Sequence, residues 1–178
     1  LTKLQMPVFS GEQLAAIDSS DMSSLNLDAV KAITGGQISQ LTTAQVSRLS
    51  SAQIAAIATT SIDDLTAEQI LGLTSSQVRS LTASQIANLT ADQVKALDPV
   101  EDIAALGTAG LKAMTSVQIG ALTSAEAAQI SIAQIAQISA DNLSKMAVDT
   151  ASALSTSAVR AINATQLAKL STDQIAGL

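Results

Sequence analysis

The chain lacks the residues on which most enzymes depend. Its 178 residues include no cysteine, no histidine and a single aromatic residue, Phe9. Without them there is no imidazole base, no thiol nucleophile, no disulfide and no thiolate metal site. We therefore expect a protein that is not an enzyme, with no catalytic, cofactor-binding or metal-binding residues and no cofactor.

Charge is also scarce. Only 13% of residues are charged, and nine Lys and Arg stand against fifteen Asp and Glu, which gives a net charge of −6. Single, scattered basic residues form no basic stripe, so nucleic acid is not an expected partner. Apolar residues reach 47% but are spread evenly, with no run of about 18 that could span a membrane. Because no initiator Met or signal peptide precedes Leu1, we expect a processed chain or a piece of a longer one.

An eight-residue repeat fills the sequence. Leu65–Gly72 reads Leu-Thr-Ala-Glu-Gln-Ile-Leu-Gly, and similar repeats follow to Ala96. The phase extends back to Leu1 and, after one nine-residue repeat at 97–105, forward to Leu178, which gives 22 repeats. Positions are numbered from the first apolar residue, so Leu65 is first, Thr66 second, Gln69 fifth and Ile70 sixth.

The positions of the repeat differ in chemistry. The first is always apolar, and so is the sixth in every eight-residue repeat, where Ala occurs only at Ala127 and Ala151. Thirteen repeats have Ser or Thr at the second position and Gln or Glu at the fifth, as in Thr66…Gln69 and Thr123…Glu126. This is the capping box, in which the hydroxyl accepts from the N–H three residues on and the longer side chain returns to the N–H of the cap.

Each repeat is therefore predicted to form one short helix of about six residues, with its first and sixth positions facing inward. Such helices are unstable alone, since isolated helices shorter than about 12–15 residues are marginal. They must pack on their neighbours, which predicts an all-α solenoid of about 22 short capped helices. One continuous helix is disfavoured because, at about 100° per residue, its apolar stripe would spiral around the surface.

A β-solenoid remains as the alternative fold, because short repeats are typical of parallel coils. The first and sixth positions have opposite parity along a strand, however, and Ala and Gln are poor strand formers.

Two sites in the sequence depart from the regular pattern. In the nine-residue repeat, Asp98 is predicted to cap a helix with Pro99 at its first position and Glu101 at its third, and the extra residue to lengthen that helix. At the start of the chain, Pro7 is expected to hold Met6 in an extended conformation, as at a terminus or joint.

The domain organisation predicted is a single repeat array over 1–178. Its parts are degenerate repeats at 1–32, regular repeats at 33–97, the nine-residue repeat at 97–105, and repeats in shifted phase at 106–178.

Several polar groups could carry chemistry but are better explained by the repeat. Acidic residues cluster most densely at Asp63–Asp64, Glu101–Asp102 and Asp18…Asp21, where we expect a solvated face and favourable charge at helix N-termini. Without histidine, the remaining nucleophile pairs are Ser144–Lys145 and Ser155…Arg160, in which Ser is expected to be a cap or a surface residue. The fifth-position Gln residues could bind a polymer, although capping explains them more simply.

The tract Leu-Thr-x-x-Gln-Ile/Val-x-x from Leu41 to Leu97, which recurs at Met114–Ala121 and Leu170–Gly177, resembles the repeat regions of very large secreted bacterial haemagglutinin-like or adhesin-like exoproteins. Repeats at Leu1–Ala32 and Ile138–Ala161 depart from it. The resemblance implies an extracellular or cell-surface scaffold and brings no catalytic residues.

Two functions follow as expectations. The first is a non-enzymatic structural module, either a stalk or spacer of a bacterial surface or secreted protein or the subunit of an extracellular filament. The alternative is a solenoid that binds a protein or glycan ligand, although a binding face would need aromatic or Arg anchors, which are scarce. Because Leu170, Ile175 and Leu178 would face water at the last repeat, we expect head-to-tail self-association or continuation in a longer parent chain.

Overall fold

The computed structural model describes residues 1–178 and consists of nineteen short α-helices and two 3₁₀-helices, with no strand. The predicted all-α class is confirmed, and the β-solenoid alternative is wrong. The longest helix has seven residues, and none has the length and apolar composition to cross a membrane. The 3₁₀-helices are Met6–Val8 and Ser19–Ser24, and the α-helices are α1 Gly11–Ala15, α2 Leu27–Lys31, α3 Gly35–Ile38, α4 Thr43–Ser47, α5 Ser51–Ala56, α6 Ala67–Leu71, α7 Ser75–Ser80, α8 Ala83–Asn88, α9 Ala91–Lys95, α10 Asp102–Ala105, α11 Gly107–Ala113, α12 Ser116–Ala121, α13 Ser124–Ala128, α14 Ile132–Ile135, α15 Ala140–Leu143, α16 Val148–Ser152, α17 Thr156–Arg160, α18 Ala164–Leu167 and α19 Thr172–Gly177.

The chain forms two compact units, Leu1–Leu89 and Thr90–Leu178. In the first unit, α2 packs against α5 and α5 against α7. In the second, α9 packs against α12, α13 against α16, and α16 against α19. Each of these pairs joins a helix to the one three repeats further along. Within each unit, three repeats therefore make one turn of an α-solenoid.

The core of each unit is built from the first and sixth positions, as predicted. Ile38, Ile54 and Ile70 at sixth positions are completely buried, and the first-position Leu65 and Leu73 are also buried. This burial supplies the apolar contact that such short helices need. The expectation that both positions are buried along the whole chain is wrong at the outermost turns. The residues left partly exposed there are Leu1, Phe9, Ile17, Leu25, Val159, Leu167, Leu170, Ile175 and Leu178.

Capping boxes are confirmed in twelve of the thirteen predicted repeats, and in the remaining one, at Thr2, no helix begins at the predicted cap. In the repeat of α6, the hydroxyl of Thr66 accepts from the N–H of Gln69 at 3.2 Å, and Oε1 of Gln69 accepts from the N–H of Thr66 at 2.7 Å. Thr2 and Gln5 exchange the same two bonds ahead of the first 3₁₀-helix. One further box uses asparagine as the cap, Asn163 before α18. The other twelve boxes begin at Ser10, Thr34, Thr42, Ser50, Thr66, Thr74, Thr82, Thr90, Thr115, Thr123, Ser131 and Ser171.

One repeat forms no helix, which corrects the expectation of one helix per repeat. Residues 57–64 hold only turns, including a bond from the N–H of Ser61 to the carbonyl of Ala58 at 2.9 Å. Ala58 has no oxygen to cap a helix, and the β-branched Thr59 and Thr60 lose side-chain freedom in one. Ile62 at the sixth position is nevertheless completely buried, so the repeat keeps its place in the core.

The nine-residue repeat caps its helix differently from the prediction. Oδ1 of Asp98 accepts from the N–H groups of Val100 at 2.9 Å and Glu101 at 2.8 Å, as expected of a cap. The returning carboxylate, however, is that of Asp102, whose Oδ2 accepts from the N–H of Asp98 at 2.9 Å. Helix α10 has only four residues. The extra residue therefore lies in the turn before α10 and does not lengthen the helix.

Met6 also departs from expectation, since it belongs to the 3₁₀-helix Met6–Val8 and is not extended. Pro7 occupies the first turn of this helix, where its missing N–H costs nothing. The complete burial of Met6 fixes this conformation against the weaker preference that a following proline imposes.

Candidate functional site

The most distinctive polar feature is a set of buried fifth-position glutamines, here called the glutamine column. Long polar side chains are rarely buried completely. Burial of an amide without hydrogen bonds is costly, so each of these side chains must find partners inside the fold. The members are Gln37, Gln45, Gln53, Gln69, Gln77, Gln85, Gln93, Gln118, Gln134, Gln166 and Gln174, and each is at most 6% exposed.

Gln69 illustrates how the amide is satisfied. Its Oε1 accepts from the N–H of its own cap, Thr66, at 2.7 Å. Its Nε2 donates to the carbonyl oxygens of Ile38 at 2.8 Å and Leu41 at 2.6 Å, which lie 31 and 28 residues earlier in the chain. A neutral amide offers two N–H donors and an oxygen acceptor. The side chain of Gln69 therefore uses both N–H donors and its oxygen acceptor.

The two acceptors belong to the C-terminal end of a helix in the preceding turn. Ile38 is the last residue of α3 and Leu41 begins the next repeat. Carbonyls at a helix C-terminus have no partner within the helix. One glutamine thus caps the N-terminus of its own helix and the C-terminus of another helix one turn away.

The same arrangement recurs along both units. The spacing of 31 and 28 residues is identical, and the Nε2–oxygen distances are 2.7–2.9 Å in three of these cases: Gln37 with Met6 and Phe9, Gln53 with Met22 and Leu25, and Gln166 with Ile135 and Ile138.

Shorter side chains at the fifth position keep only part of the arrangement. Asn142 donates to the carbonyl of Met114 at 2.8 Å, Thr150 to that of Leu122 at 3.1 Å, and Ser61 to that of Ile33 at 3.3 Å. Each bond spans 28 residues. These shorter side chains therefore bond only the first-position carbonyl of the preceding turn, whereas a glutamine such as Gln69 also bonds the sixth-position carbonyl.

Glu126 is a buried acidic residue at the fifth position. Its Oε2 accepts from the N–H of Thr123 at 2.6 Å, as in any capping box. Its Oε1 is buried and is the one buried side-chain oxygen or nitrogen without a hydrogen-bond partner. Burial raises the pKa of the Glu126 carboxyl, against the smaller lowering effects of the Thr123 hydrogen bonds and Lys95.

Asp102 is a second buried carboxylate, which corrects the expectation that Glu101–Asp102 lies on a solvated face. Its residue is 2% exposed. Burial is the largest cause of its raised pKa, the hydrogen bond from Asp98 opposes that change, and the negative charges of Asp98 and Glu101 add to it.

The remaining candidates are dispersed. Asp63 and Asp64 are exposed, whereas Asp18 accepts hydrogen bonds from the N–H and hydroxyl of Ser20 that lower its pKa. No three acidic side chains form a group that could hold a metal ion.

The two Ser–base pairs are part of the repeat. Ser144 donates to the carbonyl of Asp141 at 2.8 Å, and Lys145 is exposed. Ser155 caps α17 by accepting from the N–H of Ala158 at 3.1 Å, and Arg160 lies exposed at the end of that helix.

The glutamine column is not a binding surface, because its amide groups face inward and bond the backbone. The hypothesis that these residues bind a polymer has no accessible amide within the column to support it. In comparisons with protein-family models and with curated proteins, no match to this chain is found.

Proposed function

We propose that the chain is a non-enzymatic structural repeat module, a stalk or spacer of a bacterial surface or secreted protein or the subunit of an extracellular filament. The observation that carries this proposal is the glutamine column. Glutamines of one turn donate to backbone carbonyls at the helix C-termini of the turn before it, so successive turns within a unit are joined by these bonds. A module of this kind gains length by adding repeats and needs no ligand to fold.

The extracellular location rests on the resemblance of the Leu-Thr-x-x-Gln repeat to secreted exoproteins. The absence of cysteine fits both an exported protein that avoids thiols and a protein of a reducing compartment, so it does not choose between them. The alternative, a solenoid that binds a protein or glycan, has weaker support. The one aromatic residue of the chain, Phe9, lines the open cavity of the first turn and is not part of an aromatic patch. Exposed large apolar residues such as Leu71, Val117 and Ile132 occur singly along the sequence.

The spacer role is tested by changing the number of turns. Duplication of residues 65–88, three regular repeats, adds one turn to the first unit. The maximum dimension from small-angle X-ray scattering is expected to increase by about one helix spacing, 8–10 Å. Helical circular dichroism should rise in proportion. An unchanged dimension, or loss of cooperative unfolding, would contradict a spacer that lengthens by repeats.

The proposal includes a partner for the two end faces. In the first turn, Leu1, Phe9, Ile17 and Leu25 line an open cavity of about 320 Å³. In the last turn, Ile175 is 45% exposed. We propose that these apolar faces are covered by further repeats of a longer chain or by a second copy stacked head to tail, a contact that propagates because it does not close.

Sedimentation velocity over a range of concentrations separates these two partners. If copies stack, the mass rises with concentration, and Ile17→Asp in the open cavity reduces that rise. Leu71→Asp, on an exposed side chain, is the matched control and should leave it unchanged. A single mass at every concentration would contradict stacking and favour further repeats.

A further inference from the structure

The buried carboxyl of Glu126 is placed where every glutamine of the column presents N–H donors. Glu126 is 1% exposed, and its Oε2 already accepts from the N–H of Thr123. Its Oε1 is the atom left without a partner. In Gln69, the corresponding atom is Nε2, which donates to two carbonyls of the preceding turn.

The register of the repeat identifies the carbonyls that Glu126 faces. The sixth-position carbonyl four repeats earlier and the first-position carbonyl three repeats earlier are the acceptors of seven glutamines of the column, Gln37, Gln45, Gln53, Gln69, Gln77, Gln85 and Gln166. With the extra residue of the nine-residue repeat counted, these are the carbonyls of Val94 and Leu97, at the C-terminal end of α9. That end carries partial negative charge from the helix dipole. An ionised Glu126 would set a negative oxygen against two further acceptors, with no donor among the three.

We propose that Glu126 keeps a proton to higher pH in the folded chain than in the unfolded chain and donates it from Oε1 to the C-terminal carbonyls of α9, so that the second unit is tightened in acid and loosened as the pH rises. A carboxylic acid has one O–H donor and keeps an acceptor oxygen. Protonated Glu126 can therefore accept from the N–H of Thr123 and donate to one carbonyl of the preceding turn, one bond fewer than a glutamine makes. Ionisation removes that donor and leaves a buried negative charge.

The neighbouring charges do not supply a counter-ion that would keep Glu126 ionised. Lys95 is the one charge that acts on its pKa, and its lowering effect is smaller than the raising effect of burial. Lys95 is itself exposed and paired with Asp92 at 3.5 Å. The other charged groups on the elements around Glu126 are all acidic and are Asp149 on α16, Asp98 and Glu101 before α10, and Asp102 on α10.

The direction of the pH dependence follows from a raised pKa in the folded state. The ordinary pKa of the Glu carboxyl is 4.5. Below that value the proton is bound in folded and unfolded chains alike, and the favourable contribution is complete. Between this pKa and the higher folded pKa, the unfolded chain releases the proton and the folded chain keeps it, so stability falls as the pH rises.

The test compares the wild-type chain with Glu126→Gln by urea unfolding from pH 3.5 to pH 8. The ratio of their unfolding constants, wild type over variant, is expected to be constant below about pH 4.5 and to rise by up to tenfold per pH unit above it. Glu68→Gln, which removes an exposed glutamate from α6, is the matched control, and its ratio should not vary with pH. A constant ratio for Glu126→Gln over the whole range would overturn the proposal.

A second measurement does not depend on any variant folding. Carbon-13 NMR of the side-chain carboxyl in the wild-type chain follows the protonation of Glu126 directly. The expected midpoint lies above 4.5, the ordinary pKa of the Glu carboxyl. A midpoint for Glu126 at or below 4.5 would overturn the proposal, whatever the unfolding data show.

Discussion

Ile70 and Leu71 are adjacent in α6 and occupy opposite environments, since Ile70 is 0% exposed and Leu71 is 63% exposed. Ile70→Ala is therefore expected to lower the free energy of unfolding by about 2–5 kcal/mol, the usual cost of a large-to-small change in a packed core. Leu71→Ala is the matched control and should change it by less than about 0.5 kcal/mol. Urea unfolding followed by circular dichroism measures both. A loss below about 1 kcal/mol for Ile70→Ala would mean that Ile70 is not in a packed core.

Gln69→Ala tests the role of the glutamine column between turns. The change removes the hydrogen bonds to the carbonyls of Ile38 and Leu41 and from the N–H of Thr66, and we expect a loss of about 2–4 kcal/mol. Gln13→Ala is the control, because Gln13 is exposed and its side chain makes one hydrogen bond, in which Oε1 accepts from the N–H of Ser10. That variant should lose about 1 kcal/mol or less. Equal losses would show that capping alone explains the column.

Much of this arrangement could be predicted from the sequence, because its causes are local. Thr66 and Gln69 are three residues apart, and their capping bonds depend only on that spacing. The bonds from Gln69 to Ile38 and Leu41 depend on how many repeats complete a turn, which no single repeat encodes. The burial of the glutamines and the isolation of Oε1 of Glu126 were therefore beyond prediction. Ala58, which cannot cap a helix, is not enough to predict the missing helix at 57–64. Ala147 also provides no side-chain cap, and α16 still forms after it.

Thr66→Ala tests the caps themselves. Removal of the hydroxyl leaves the N–H of Gln69 without its acceptor, and the free energy of unfolding should fall by about 1 kcal/mol. Ser76→Ala changes an exposed residue inside α7 and should be neutral or slightly stabilising, because alanine has the higher helix propensity. If thermal and urea unfolding give Thr66→Ala the same stability as Ser76→Ala, the caps do not stabilise these helices.

Two glycines should respond with opposite sign to replacement by alanine. Gly107 joins α10 to α11 with φ of 62°, the left-handed region, so Gly107→Ala is expected to cost about 1–2 kcal/mol. Gly36 lies inside α3, and a Cβ there meets no atom within 4 Å. Gly36→Ala should therefore stabilise the chain by about 0.5–1 kcal/mol. Differential scanning calorimetry resolves the direction of each shift, and a stabilising Gly107→Ala would contradict the assigned backbone conformation.

Asp102→Asn probes the second buried carboxyl. Because the pKa of Asp102 is raised in the folded chain from the ordinary 3.8, its contribution to stability is complete below pH 3.8 and declines as the pH rises through the folded pKa. The variant has no such decline. The melting temperature of Asp102→Asn minus that of the wild type should therefore increase between pH 3.5 and pH 7, a gain for the variant. Asp64→Asn, at an exposed carboxylate, should show no such gain, and a gain of equal size there would contradict the assignment to Asp102.

The spacing of the glutamine bonds has a consequence for how such a chain can change its length. Loss or gain of one complete repeat leaves each remaining glutamine opposite an equivalent pair of carbonyls, because all repeats offer the same two acceptors. Such a change nevertheless moves every later helix around the coil by one third of a turn. Exposed residues that shared a side, such as Asp141 and Lys169 with their ion pair at 2.9 Å, would be separated if the change fell between them. Only changes by multiples of three repeats preserve both the interior bonding and the alignment of the outer surface. A change in the number of repeats therefore disturbs the exposed surface more readily than the buried glutamine bonds.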